Sequence, residues 1–100
     1  MAIWKLIPID RSHRDWAASR YGREAREVII RAESEERARR VAHMAFCAGV
    51  TKQLPGDEIP ACPWNQPALV SAAQAKDSNY PETGHEEILD PEEARAYNNA

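Results

Sequence analysis

Long apolar segments are absent from this sequence of 100 residues. Its longest apolar run is far shorter than the roughly 18 residues that a membrane-spanning helix requires. The start also lacks the pattern of a secretory signal, because the charged residues Asp10, Arg11 and Arg14 follow a short strand-like run. We therefore expect no membrane segment and a protein that works in the cytoplasm.

Cysteine, glycine and proline are also scarce, with two, four and seven residues respectively. The two cysteines, Cys47 and Cys62, are too few for the disulfide framework of a small secreted protein, so we expect reduced thiols. So little glycine and proline excludes a fibrous or linker protein, and 43% hydrophobic residues favour a packed core. We place a single domain at residues 1–97 and expect residues 98–100 to fray.

Charge is unevenly distributed along the chain. Residues 1–52 contain eleven Lys and Arg against seven Asp and Glu, whereas residues 53–100 contain two against nine. The halves therefore carry +4 and −7, which gives the total of −3. This asymmetry indicates either two opposed surfaces or two halves that neutralise each other in the folded protein.

The first third of the chain predicts two strands. Residues 2–9 alternate in the manner of a strand, and residues 27–32 are rich in β-branched side chains. Between them, a short helical turn near residues 13–20 would be anchored to the core by Trp16. These two strands form the start of a sheet.

The pattern then changes to that of a helix. Ser34 is a suitable N-cap, Glu35 and Glu36 lie where the helix dipole favours carboxylates, and Gly49 would end the helix. Small apolar residues recur on one stripe, at Ala38, Val41, Ala42, Ala45 and Ala48. So many alanines indicate that the helix lies close to a sheet.

The second half begins with an ordered loop. Residues 51–67 contain four prolines and would be pinned by Trp64. Residues 68–76 have features of both a helix and a strand, and we interpret them as a third strand because two strands seldom make a stable sheet. Residues 85–89 would add a fourth strand, and a short helix would follow Asp90.

These elements predict an α+β fold, in the order β-β-α-β-(β)-α. A small sheet of three or four strands would carry one main helix across a face. Such sheets support many unrelated functions, so the fold class alone predicts none of them.

Four motifs spread over most of the chain carry a resemblance to a known group. They are Trp4-x-Leu6-x-Pro8-x-Asp10, Arg31-Ala32-x-x-Glu35-x-x-Ala38-Arg39-x-x-Ala42, Pro63-Trp64-x-x-Pro67-x-Leu69-Val70 and Ile88-Leu89-x-Pro91. Together they resemble a group of short, uncharacterised bacterial proteins. The resemblance implies no activity, cofactor or catalytic residue.

The segment HMAFC places His43 four residues before Cys47, one helical turn apart. Both side chains fall on the side of the predicted helix opposite to the alanine stripe, so we expect them on a face that meets solvent or a partner. Cys62 and His85 could complete a ligand set, but their spacings match no recognised zinc pattern. We therefore expect no metal ion and no Cys–His nucleophile.

Paired carboxylates occur at three places, Glu35–Glu36, Glu86–Glu87 and Glu92–Glu93. These pairs lie at helix starts or in a polar segment, where capping and solubility explain them better than acid–base catalysis does. The sequence also lacks a phosphate-binding glycine loop and hydrolase motifs. We therefore expect that this protein is not an enzyme and binds no cofactor.

The acidic half favours a protein-binding module, an adaptor or inhibitor that covers the basic surface of another protein. Some anti-CRISPR proteins, which block nucleic-acid-handling complexes, share this size and character, although none of their motifs occurs here. The predicted contact residues are Glu82, Glu86, Glu87, Glu92, Glu93, Tyr80 and Trp16.

The alternative is direct binding of nucleic acid through the basic half. Arginine beside exposed aromatic rings can bind phosphates and stack on bases. The residues for this function would be Arg11, Arg14, Arg20, Arg23 and Arg40.

Overall fold

The computed structural model describes residues 1–51, 54–56 and 58–99. Four strands and two helices follow each other in the predicted order, which confirms the α+β fold class. They are β1 (Ala2–Pro8), β2 (Val28–Ala32), α1 (Glu35–Ala42), β3 (Val70–Gln74), β4 (Glu87–Asp90) and α2 (Glu92–Arg95). Short 3-10 helices occur at Arg14–Ala18, Pro63–Asn65 and Ala96–Asn99, and a π turn at His43–Cys47 continues α1.

The sheet is antiparallel throughout, in the order β3-β1-β2-β4. Strand β1 is central, and Leu6 lies opposite Val28 of β2 on one side and Ala72 of β3 on the other. The prediction of a third strand within residues 68–76 is therefore confirmed. Its physical reason also holds, since β3 pairs with the edge of β1 that β2 leaves open.

The core lies between α1 and one face of the sheet. Leu6, Val28 and Ile30 of the sheet are fully buried against Ala38 and Ala42 of the helix. The small alanine side chains let the helix lie close to the strands. Burial of each larger aliphatic side chain contributes about 1.5–3 kcal/mol.

Helix α1 begins as its sequence predicts. The hydroxyl of Ser34 accepts a hydrogen bond from the backbone N–H of Arg37 at 3.2 Å. After the π turn the chain reverses at Gly49, whose φ of +81° suits a residue without a Cβ. In the described ranges, no helix is both long enough and apolar enough to cross a membrane.

The C-terminal residues are attached to the sheet. The side chain of Asn98 donates to the carbonyl of Ile88 at 3.0 Å and accepts from its N–H at 2.8 Å. Asn98, which we placed in a frayed tail, is therefore anchored to β4. Ala100 lies outside the described residues.

The second face of the sheet is covered by residues 75–86, named here the acidic loop. Beneath it, Ile3, Ile29 and Arg31 are buried. Gly84 has a φ of +130°, and a Cβ there would lie 2.5 Å from Arg31 Nη2, so only glycine allows this close approach.

Candidate functional site

Three of the five predicted acidic contact residues are bound within the molecule. Glu86 accepts two hydrogen bonds from Arg37, at 2.9 and 3.1 Å, which raises the pKa of that guanidinium. Glu87 lies 3.2 Å from Arg31 Nη2. Glu93 accepts a hydrogen bond from the hydroxyl of Tyr21 at 3.2 Å. These contacts join the basic half to the acidic half, the second of the two arrangements that the charge pattern indicates.

The acidic loop keeps the remaining predicted residues at the surface. Tyr80 and Glu82 of the loop are exposed, as is Glu92 at the start of α2. Among the described residues, neither Glu82 nor Glu92 has an ion-pair partner. Asp77 adds a second exposed carboxylate to the loop.

The buried side chain of Arg31 anchors this loop at two points of its backbone. Arg31, 6% exposed, donates from Nε to the carbonyl of His85 at 2.8 Å and from Nη1 to the carbonyl of Pro81 at 3.1 Å. Its third contact, to Glu87, balances its charge. The guanidinium thus fixes both the end and the middle of the loop through a rigid set of donors.

Tyr80 lines a shallow depression of about 510 Å³ together with residues of the sheet. Lys5 and Glu27, which form an ion pair at 3.5 Å, line it together with Asp90. Partial burial raises the pKa of the Tyr80 phenol, and the carboxylate of Asp90 adds to this shift. Tyr80 therefore remains a neutral hydrogen-bond donor at physiological pH.

The basic residues of the N-terminal half surround another depression, of about 660 Å³. Arg14, Arg20 and Arg23 line it, and Glu24 and Glu93 lie on the same wall. Arg40, by contrast, lines a separate depression of about 270 Å³ beside α1. The structure therefore brings together only part of the predicted nucleic-acid set.

The arginines of this depression contact the protein in different ways. Arg14 pairs with Glu58, whereas Arg20 donates to the carbonyl of Ala48 and Arg23 to that of Arg11 at 2.7 Å. Arg11 itself is exposed.

The aromatic residues of this half face inward. Trp16 is only 3% exposed, and its Nε1 donates to the carbonyl of Asp10 at 2.6 Å. Tyr21 is half-buried and packs against Phe46, with ring centroids 5.0 Å apart. Burial raises the pKa of Tyr21 to about 12, and Glu93 adds to the shift. Trp16 therefore packs beneath the segment between β1 and β2 and presents no ring to a partner.

The sequence predictions for the two cysteines are wrong. Cys47 and Cys62 form a disulfide, with their Cα atoms 5.9 Å apart, so the thiols are not reduced in this structure. Cys47 is 8% exposed and does not lie on a solvated helix face. A wide π turn, in which the N–H of Ala48 donates to the carbonyl of His43 at 3.0 Å, changes the helical period there.

The loop that carries Cys62 then covers this end of the helix. Trp64 is completely buried, as its predicted anchoring role requires, and it brings Cys62 against Cys47. Ligand atoms of His43, Cys47 and Cys62 all lie within 4.8 Å of one another. A sequence signal was present, because a tryptophan two residues after a cysteine places that cysteine beside the core. The spacing of the two cysteines, however, does not predict that Cys47 is the partner of Cys62.

No known family model matches this chain, and comparisons with curated proteins and with solved structures also give no match.

Proposed function

We propose that this chain is a non-catalytic protein-binding module, an adaptor or inhibitor whose contact surface is the acidic loop together with the start of α2. The observation that carries this proposal is the buried Arg31, which anchors an exposed acidic loop through two of its backbone carbonyls. The expected partner is a protein with a basic surface.

The fixed loop favours binding because ordering a loop costs free energy. A flexible segment must lose conformational freedom when it binds, at about 0.5–1.5 kcal/mol for each immobilised side chain. The Arg31 contacts with Pro81 and His85 already restrict the loop backbone before any partner arrives. Binding of a partner then costs less conformational free energy than it would with a flexible loop, so the affinity is higher.

The side chains on the loop suit a basic partner. Asp77 and Glu82 supply negative charge, and Glu92 adds to it from α2. Complementary charge speeds and orients the encounter, while a partly exposed tyrosine such as Tyr80 adds apolar contact. A partner whose own ligand is nucleic acid has the matching positive surface, which is the basis for proposing an inhibitor in the manner of anti-CRISPR proteins.

Direct nucleic-acid binding is the second candidate. Arg20 and Arg23 favour it, because in the described part of the chain their guanidinium groups meet backbone carbonyls and no carboxylate. The buried Trp16 and the neighbouring Glu24 and Glu93 weigh against it.

The cytoplasm remains our proposed location. The disulfide between Cys47 and Cys62 makes an oxidising compartment the competing assignment, because disulfides persist mainly outside the reducing cytosol.

The test replaces acidic residues that have no structural task. In Glu82→Lys/Glu92→Lys, charge reversal should abolish capture of the partner from a host lysate, measured by quantitative mass spectrometry against the wild type. Reversal of Glu87 is unsuitable because it would leave Arg31 without its counter-charge. The matched control is Glu36→Lys, an exposed carboxylate on α1.

Two further variants separate the candidates. Tyr80→Ala should weaken capture of the same protein, while Arg20→Ala/Arg23→Ala should leave it unchanged. If a gel shift with nucleic acid at low salt is instead lost in the arginine variant, the second candidate replaces the first. The proposed surface is contradicted if the wild type and Glu82→Lys/Glu92→Lys capture the same proteins from the lysate.

A further inference from the structure

We propose that His43, Cys47 and Cys62 form a zinc site when the disulfide is reduced. This site is independent of the protein-binding surface, which lies on the acidic loop. The disulfide would then be the oxidised state of a metal centre.

The three residues supply suitable donors in nearly the required arrangement. His43 and Cys47 come from one turn of the helix and Cys62 from the loop that covers it, and their ligand atoms lie within 4.8 Å of one another. Zinc bonds of about 2.3 Å to sulfur and 2.0–2.1 Å to nitrogen separate neighbouring ligand atoms by roughly 3.5–3.8 Å in a tetrahedron. The observed group thus needs only small side-chain movements to enclose the ion.

The segment that carries Cys62 and Trp64 does not depend on the disulfide alone for its position. The buried guanidinium of Arg39 donates from Nη1 to the carbonyl of Trp64 at 3.0 Å, and its Nε donates to Glu35 at 3.0 Å. Trp64 is fully buried, and its Nε1 donates to Ser19 at 3.0 Å. After reduction, these contacts would keep the Cys62 segment beside the helix.

A neighbouring amide can orient the imidazole. Asn65 Nδ2 lies 3.0 Å from His43 Nδ1. A half turn of the amide places Oδ1 at that position, where it accepts the Nδ1–H and leaves Nε2 with a free lone pair for the metal. Hydrogen bonding of the second ring nitrogen is the usual arrangement for histidine ligands of zinc.

The site is open enough for water and a reductant to reach it from solvent. His43 and Cys62 are half-buried and Asn65 is exposed, so solvent reaches one side of the group. Water can therefore fill the fourth position around the ion, as it does in zinc sites with three protein ligands. A soluble reductant can also reach the sulfur of Cys62.

The chemistry balances with a dithiol or phosphine reductant. A phosphine supplies two electrons and becomes the phosphine oxide by taking the oxygen of one water molecule, whose two protons complete the two thiols. A dithiol supplies both electrons and both protons and is itself oxidised to a disulfide. Binding of Zn²⁺ then displaces both thiol protons to solvent, and the sulfur atoms bind as thiolates.

The experiment titrates the full chain with Zn²⁺ alone, after reduction with a phosphine and removal of metal. We expect one Zn²⁺ per chain in equilibrium dialysis, and both thiols protected from alkylation in the zinc-loaded wild type. His43→Gln should weaken zinc binding by at least about tenfold, and Asn65→Ala by about tenfold. His85→Gln, which alters an exposed histidine elsewhere, is the matched control and should bind as the wild type does.

Other results overturn the proposal. The site is excluded if the reduced wild type binds no zinc and its thiols remain open to alkylation. It is also excluded if the oxidised protein binds equally well, or if His43→Gln and His85→Gln have the same affinity. The alkylation assay needs no variant, so it decides the question even if a substitution prevents folding.

Discussion

Tyr21 lies in the segment between β1 and β2, and its hydroxyl links this segment to α2. It donates to Glu93 at 3.2 Å, and its ring packs against Phe46 and Tyr97 with centroids 5.0 and 5.4 Å away. Burial and the adjacent carboxylate both disfavour the phenolate, so the folded protein holds the pKa at about 12, above the ordinary value of 10.0.

This shift predicts a loss of stability at alkaline pH. Because the folded-state pKa is raised, the contribution of Tyr21 is complete below the unfolded-state pKa of 10.0 and is lost as pH rises towards about 12. Thermal unfolding of Tyr21→Phe should show a smaller decrease in Tm across this window than the wild type shows. Equal slopes of Tm against pH would contradict the assignment.

At the scale of elements, the sequence predicted those strands and helix ends that depend on neighbouring residues in the chain. Within residues 27–32 the chain forms β2 because β-branched side chains suit a buried strand, and α1 begins directly after Ser34 because the Ser34 hydroxyl caps the helix. The π turn at His43–Cys47 has no such local signal. The disulfide could not be predicted either, since the spacing of the two cysteines does not show that the loop pinned by Trp64 brings Cys62 against Cys47.

The disulfide gives an element-scale prediction. It joins residues 15 positions apart, and closing a loop of this length stabilises a folded chain by about 3 kcal/mol in the chain-entropy view. Reduction in metal-free buffer should lower the free energy of unfolding by about this amount, measured by urea denaturation with and without a phosphine. Circular dichroism should remain unchanged at zero urea, because Arg39 and Trp64 still hold the loop.

An unfolded far-ultraviolet spectrum after reduction alone would contradict this role of Arg39. The matched comparison is Cys47→Ala/Cys62→Ala without reductant, which should have the stability of the reduced wild type.

At the scale of the whole molecule, the charge pattern of the sequence indicated two arrangements and could not choose between them. Choosing requires knowing which side chains meet, and only the fold determines that. Arg31 with Glu87, Arg37 with Glu86, and Arg14 with Glu58 join the oppositely charged halves. The sequence likewise predicted an acidic segment here but not its attachment to the sheet, because the anchoring residue, Arg31, lies far away in the sequence.

The pairing of the halves can be tested by exchanging one ion pair. Arg37→Glu should lower the Tm because it places two carboxylates together, and Glu86→Arg should do the same with two guanidinium groups. The double variant Arg37→Glu/Glu86→Arg should recover most of the loss, since it restores opposite charges at the surface. Purely additive losses in the double variant would mean that the contact contributes nothing.

The central position of β1 also has a consequence for biosynthesis. The strand that is translated first needs both β2 and β3 as neighbours, and β2 in turn is flanked by β4, which ends at Asp90. In a nascent chain α1 can cover one face of β1 and β2 soon after these strands emerge, but their outer edges and the face beneath the acidic loop stay open until residues up to Asp90 have left the ribosome. Such dependence on late, distant segments slows folding and makes interrupted translation products prone to aggregate.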